Sequence, residues 1–160
     1  MNKPDVASER KNQIVRATVD CMTKYGYNNF SMQDVAKSAK VSKGIIHYYF
    51  LNKDDLMMSV LEKVASDIEH ILQTDMEAID SPIEKLKIFI EGCFDIVKNT
   101  REYYQVNMDF WTQINQKNSV REVIAKHYEN FRKTCGEVLQ EGIDRKFFHK
   151  VNVHEYSSYI

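Results

Sequence analysis

Residues 30–50 read FSMQDVAKSAKVSKGIIHYYF, and the fold turns on this stretch. Ser31 stands just before a short amphipathic run and Asp34 follows three residues later, the spacing at which a hydroxyl and a carboxylate cap a helix start reciprocally. Phe30 and Val35 are placed to staple its entry. The run reaches Ser38 or Ala39, and Ser42 caps a second run ending near Tyr49. Two short helices joined by so tight a turn can cross only where the facing positions are small or apolar. Ala36 supplies the small contact, within an apolar set of Val35, Ala39, Val41, Ile46 and Tyr49. The second helix is left with Ser42 at its start and Lys43, His47 and Tyr48 on its polar face, while Gly44 leaves the backbone open to close approach. A helix presented in this way suits the major groove of DNA, its first residues nearest the base edges. Ser31 and Lys53 suit phosphates.

Upstream, Ile14, Ala17, Cys21 and Tyr25 recur at three and four, which predicts a helix from Glu9 to Tyr25. Gly26 closes it as a left-handed cap, and residues 1–8 form a polar arm. Downstream, Asn52 caps a long helix, with Asp55 answering and Leu51 stapling to Leu56. Its stripe of Leu56, Val60, Val64, Ile68 and Leu72 carries it to about Thr74 or beyond. Ser81 and Pro82 open another helix. A break near Asn99–Thr100 precedes an aromatic-rich helix over about Glu102 to Gln116. Ser119 and Glu122 start a long one, and Asn152 and Glu155 begin one more, whose lack of continuation past Ile160 predicts a missing C-terminal segment. No strand alternation competes with these patterns. The predicted fold class is all-α: a three-helix helix-turn-helix DNA-binding domain at 9–55, with its motif at about 31–52, then a helical regulatory and dimerisation bundle at 56–160 that is truncated at its C-terminus.

Bulk properties narrow the function. The 160 residues hold 22 Lys and Arg against 23 Asp and Glu. The charge is unevenly divided, with nine basic against six acidic residues through Asp55 (+3) and thirteen against seventeen beyond it (−4). A basic front on an acidic body fits a DNA-reading head carried by a body with another task. No apolar run approaches the ~18 residues of a membrane span, and the polar start lacks a secretory core. Cys21, Cys93 and Cys135 are odd in number, far apart and set among apolar residues, the pattern of buried cytosolic thiols. No metal-ligand spacing, nucleophile elbow or phosphate loop is present, so no enzyme, cofactor or metal is predicted.

Several elements occur together and in order: the Ile14-to-Tyr25 helix, Gly26-Tyr27, Ser31-Met32-Gln33-Asp34-Val35-Ala36, Val41-Ser42-Lys43-Gly44, Tyr49-Phe50 and Asn52-Lys53-Asp54-Asp55-Leu56. On these, residues 9–65 resemble the DNA-binding domain of the TetR family of bacterial transcriptional regulators. Asp109-Phe110-Trp111, and the segment from Tyr128 that ends in EGIDRKFF, are similar to the C-terminal domain of the choline-responsive repressor branch. The resemblance implies a cytoplasmic repressor that binds a palindromic operator as a homodimer and is released by a small hydrophobic or amphipathic effector. By position it implies a phosphate contact for Ser31 and Lys53. Ser42, Lys43 and Gly44 would lie at the groove, and Tyr48 would touch backbone or base. Gln33 and His47 complete the expected DNA-binding set. Two positions depart from the family pattern: Lys40 replaces a glycine of the turn, and His47 a tyrosine.

Aromatic residues gather from Phe89 to Phe131. In a helix bundle most such residues are core; the resemblance raises the alternative of an effector cavity. Its predicted walls are Phe89, Cys93, Tyr104, Met108, Trp111, His127, Tyr128 and Phe131. The rival function from another class is a helical protein-interaction module without DNA binding.

Overall fold

The computed structural model describes residues 6–99 and 101–158, with side chains described outside 95–103. Residues 1–5 of the predicted arm, the break at Thr100 and the terminal Ile160 lie outside the described residues. The chain is all-α, and its elements are α1 (Val6–Tyr25), α2 (Met32–Ser38), α3 (Lys43–Tyr49), α4 (Lys53–Glu77), α5 (Pro82–Asn99), α6 (Arg101–Trp111), α7 (Asn118–Asp144) and α8 (Val153–Tyr156). Packing divides it into two compact units: Met1–Val64 with Arg101–Arg121, and Ala65–Thr100 with Glu122–Ile160. The first unit therefore takes in α6, which lies far along the chain.

Short-range chemistry sets most boundaries in the first unit. Residues 6–8, expected in the arm, instead open α1. Gly26 ends that helix at φ 80, its N–H donating to the Met22 carbonyl at 2.7 Å. This is the single-bond left-handed cap, which a residue without a Cβ adopts freely. The Ser31–Asp34 box caps α2 in both directions, through Asp34 N–H to Ser31 Oγ at 3.3 Å and Ser31 N–H to Asp34 Oδ2 at 2.9 Å. Phe30 and Val35, the expected staple, are both buried.

The α2–α3 turn is a complete Schellman motif. Lys40 sits at φ 53, its N–H donating to the Lys37 carbonyl at 3.2 Å, and Val41 N–H donates to the Ala36 carbonyl at 3.0 Å. These are the two bonds of that cap, with lysine where glycine is favoured. Gln13 of α1 adds a third tie, donating from Nε2 to the Ala39 carbonyl at 2.7 Å. A left-handed non-glycine residue is disfavoured by a Cβ–carbonyl clash, so Lys40→Gly should stabilise the protein by about 1 kcal/mol. A rise of a few degrees in the thermal unfolding midpoint would show this; an unchanged or lower midpoint would mean that the turn is not held left-handed in solution.

Four expectations fail locally. Asn52 does cap α4, accepting from Asp55 N–H at 2.9 Å, but the Asp55 carboxylate accepts from Leu51 N–H at 2.9 Å rather than from the cap's own amide. With its backbone held there, Leu51 stands 85% exposed and does not staple to Leu56. The aromatic helix stops at Trp111 rather than Gln116. Thr112 Oγ1 donates to the Asp109 carbonyl at 2.6 Å, and the following amides tighten into three-residue turns, Gln113 N–H to Phe110 and Gln116 N–H to Gln113, both at 2.9 Å. The next helix starts at Asn118, so Ser119 lies inside it.

α2 packs on α1 and α3, and α6 packs on α1. Ile14, Met22, Val35, Ile46, Phe50, Leu56, Val106 and Phe110 are essentially inaccessible and form the centre of this unit. Tyr27 leaves α1 with its ring edge-on to Phe110, centroids 5.3 Å apart, and its backbone amide lies near the Asp109 carboxyl. Burial pushes the Asp109 carboxyl above the ordinary carboxylate range, and that amide only partly offsets it.

The second unit has its own core of Leu72, Met76, Phe89, Cys135, Val138 and Leu139. A Cβ on Gly142 would lie 2.0 Å from the Phe148 ring, so the glycine lets that ring lie flat on α7. Phe147 and Phe148 N–H both donate to the Gly142 carbonyl, at 2.8 and 3.0 Å, around a left-handed Lys146 at φ 62. Arg145 pairs with Asp80 at 2.9 Å and with Glu141 at 2.7 Å, while Lys85 also reaches Glu141 at 2.7 Å. No helix among the described residues is long and apolar enough to cross a membrane.

Candidate nucleic-acid interface

α3 has one buried and one open face. Ile46 is fully buried against the first unit's core. Ser42 caps the helix by accepting from Ile45 N–H at 3.3 Å. Around it Lys43, Gly44 and His47 are exposed, and Tyr48 is 80% exposed while stacking edge-on to Tyr49 at 5.0 Å. Tyr49 is half-buried and packs nearer the core than Tyr48 does. A Cβ on Gly44 would meet only Ser42 Oγ, at an ordinary 3.7 Å. The fold therefore does not require glycine there.

Ser31 and Gln33 are also exposed, at the first turn of α2. The Ser31 hydroxyl donates to Asp34 Oδ2 at 2.6 Å, and with the Ser31 amide it holds the Asp34 carboxyl below the ordinary carboxylate range. An incoming phosphate at Ser31 would have to share or displace that bond.

Lys53 is placed differently from its neighbours. Its Nζ donates to the Phe30 carbonyl at 2.7 Å and to the Asn28 carbonyl at 3.3 Å, and lies 3.9 Å from the centroid of the Phe30 ring. Burial lowers its pKa, with Lys117 adding to the effect. These bonds make Lys53 a strut between the start of α4 and the α1–α2 turn. Lys117 steadies the same corner by pairing with Asp54 and lying 5.8 Å from the Tyr27 ring.

The eight residues expected to wall an effector cavity are divided between the units. Tyr104, Met108 and Trp111 belong to the first, where each is about 40% exposed on α6. Phe89, Cys93, His127, Tyr128 and Phe131 belong to the second. There Phe89 is inaccessible and packs against Phe131 with centroids 4.5 Å apart, and Cys93 Sγ donates to the Phe89 carbonyl at 2.9 Å. Burial raises the Cys93 thiol to a pKa of about 11, so it packs as a neutral group. His127 Nδ1 meets Glu69 Oε1 at 2.7 Å, and Asn130 donates to the same oxygen at 3.3 Å, a polar cluster that joins α4 to α7. Tyr128 is half exposed.

Two residues of the head escaped the sequence reading. Gln13 was not distinguishable from any exposed polar residue of α1, because its partner lies 26 positions away. Ile45, 40% exposed on α3, left no signal, because over a seven-residue helix the pattern does not separate it from its buried neighbour Ile46.

Comparison with known proteins agrees with this geometry. The family described as "Bacterial regulatory proteins, tetR family" matches residues 14–60. The HTH-type transcriptional regulator HbdR of Aromatoleum sp. (strain CIB) is 32% identical over 83 residues, covering 52% of this chain and 36% of its own length. The HTH-type transcriptional regulator BetI of Stenotrophomonas maltophilia is 28% identical over 112 residues, 69% of this chain and 57% of its own. The chain thus spans about a third to under two thirds of the length of these relatives. Among solved structures, a TetR transcription regulator from Haloarcula marismortui superposes with a TM-score of 0.88 at 21% identity, covering 95% of this chain and 80% of that one. A transcriptional regulator from Saccharomonospora viridis, solved in complex with choline, gives 0.83 at 20% identity, covering 95% and 79%. Residues 14–60 thus match the helix-turn-helix domain of the tetR family of bacterial regulatory proteins, and the chain shares the all-helical fold of these solved regulators.

Proposed function

We propose that this protein is a ligand-responsive transcriptional regulator of the bacterial cytoplasm, a repressor that holds a palindromic operator as a homodimer and releases it when a small hydrophobic or amphipathic effector binds. The observation that carries this is α3: one side is buried through Ile46, and the other offers Lys43, Gly44, His47 and Tyr48 without a fold-related reason for their exposure. Ser31, Gln33 and Ser42 complete the proposed DNA-binding set, with Lys53 as a phosphate contact. Domain division follows the same logic, with residues 9–55 reading DNA and 56–160 serving regulation and dimerisation. In the second unit, Phe131 and Cys93 at the edge of the core, with His127 and Tyr128 on α7, are the contacts proposed for an effector. An effector acts only to the extent that it prefers the DNA-free arrangement over the bound one.

Salt separates this function from a protein-interaction module. Each phosphate neutralised releases counterions, so affinity for a duplex selected by the protein from a random library should fall by about a thousandfold or more between 50 and 200 mM salt. Selection that enriches no duplex, or binding that barely responds to salt, would favour the interaction module.

A further inference from the structure

Ile45 is only partly claimed by the fold. Its neighbour Ile46 fills the core, whereas Ile45 is turned about 100° around the helix axis and stands 40% exposed. Its backbone N–H caps onto Ser42, a bond that any residue but proline would make. A β-branched side chain brings no helix-propensity benefit to a seven-residue helix, where alanine, lysine or glutamate would serve better. Tyr48 follows three positions on, hence on the same face, and is 80% exposed. Gly44 beside them leaves room for close approach. Ile45 and the Tyr48 ring therefore make an apolar strip on an otherwise polar surface, next to the exposed Lys43.

In the major groove one apolar group marks a base: the 5-methyl of thymine. We propose that Ile45, flanked by Tyr48, selects thymine at one position of each operator half-site through contact with that methyl. The selectivity rests on α3 being the groove-facing helix. Cytosine presents an amino donor instead of the methyl and carbonyl, and an aliphatic side chain leaves that donor unpaired. Ile45 thus adds a requirement for an A·T pair that Lys43, as a cation, does not impose.

The test uses the full chain and a duplex selected from a random library, with single thymines replaced by deoxyuridine, which removes only the methyl. Loss of one buried methyl should weaken wild-type binding about threefold to fivefold at one half-site, and about tenfold or more when both half-sites are changed. Ile45→Ala should bind the thymine duplex more weakly and be indifferent to deoxyuridine at that position, whereas Ile45→Val, which keeps the branched methyls, should retain the discrimination. Unchanged circular dichroism would show that both variants fold. The inference is overturned if no thymine is sensitive in the wild type, or if Ile45→Ala keeps the full deoxyuridine effect. A wild-type protein that enriches no duplex at all would overturn the DNA-reading assignment itself, and is distinguishable because no site then exists to be modified.

Discussion

Replacing Lys43 and Tyr48 together by alanine is expected to abolish sequence-specific DNA binding while leaving the unfolding midpoint unchanged. Both side chains are exposed, Tyr48 to 80%, and neither belongs to the core around Ile46 and Phe50. Surface changes of this kind usually shift stability by no more than about 0.5 kcal/mol. Alanine also suits both helical positions. Contacts at base edges are worth roughly 1–3 kcal/mol each, so losing two should weaken binding at least about thirtyfold for one half-site, and about a thousandfold when both half-sites of a palindrome are affected. Competition between the selected duplex and random DNA would measure it. If the double variant kept wild-type preference for the selected duplex, α3 would not be the reading element.

Phe110→Ala should have the largest effect on stability. Phe110 is inaccessible, lies on α6 and meets Tyr27 edge-on where the chain leaves α1. Truncating a buried phenylalanine removes its transfer free energy and leaves a cavity, typically costing about 3–5 kcal/mol. That is a large part of the stability of an ordinary domain, about 5–15 kcal/mol in total. The cavity would open beside the buried Tyr27 ring, so α6 would lose its grip on the α1–α2 turn. Phe110→Leu, which keeps most of the volume, should cost much less. Chemical denaturation would separate the two; a Phe110→Ala protein within about 1 kcal/mol of wild type would show that α6 is not part of the head's core.

What was legible in the sequence was local. The Ser31–Asp34 box, the Ser42 and Asn52 caps and the left-handed Gly26 each depend on residues within four positions of one another, so their spacing carried the outcome. At Lys40 the resemblance marked only that lysine replaces a glycine of the turn, and the structure shows that residue left-handed. The failures are contacts in which two local options compete or the partner is remote. Leu51 could bury its side chain or give its amide to Asp55, and the amide bond prevailed. At Lys53 what went unread was the remote partner: the carbonyls of Asn28 and Phe30, which hold its ammonium, lie more than twenty residues away. Periodicity marked the aromatic residues of α5, α6 and α7 as apolar, but it does not say which partner a face meets. Tyr104, Met108 and Trp111 went to one unit and Phe89, Cys93 and Phe131 to the other.

The central claim is that α3 enters the major groove. Dimethyl sulfate interference on the selected duplex tests it directly, because the reagent methylates guanine N7 in the major groove and adenine N3 in the minor groove. With Lys43, Ile45 and Tyr48 at the base edges, methylation at N7 within each half-site should block binding, and methylation at adenine N3 there should be tolerated. Interference confined to adenine N3, with N7 methylation harmless throughout, would contradict the placement of α3.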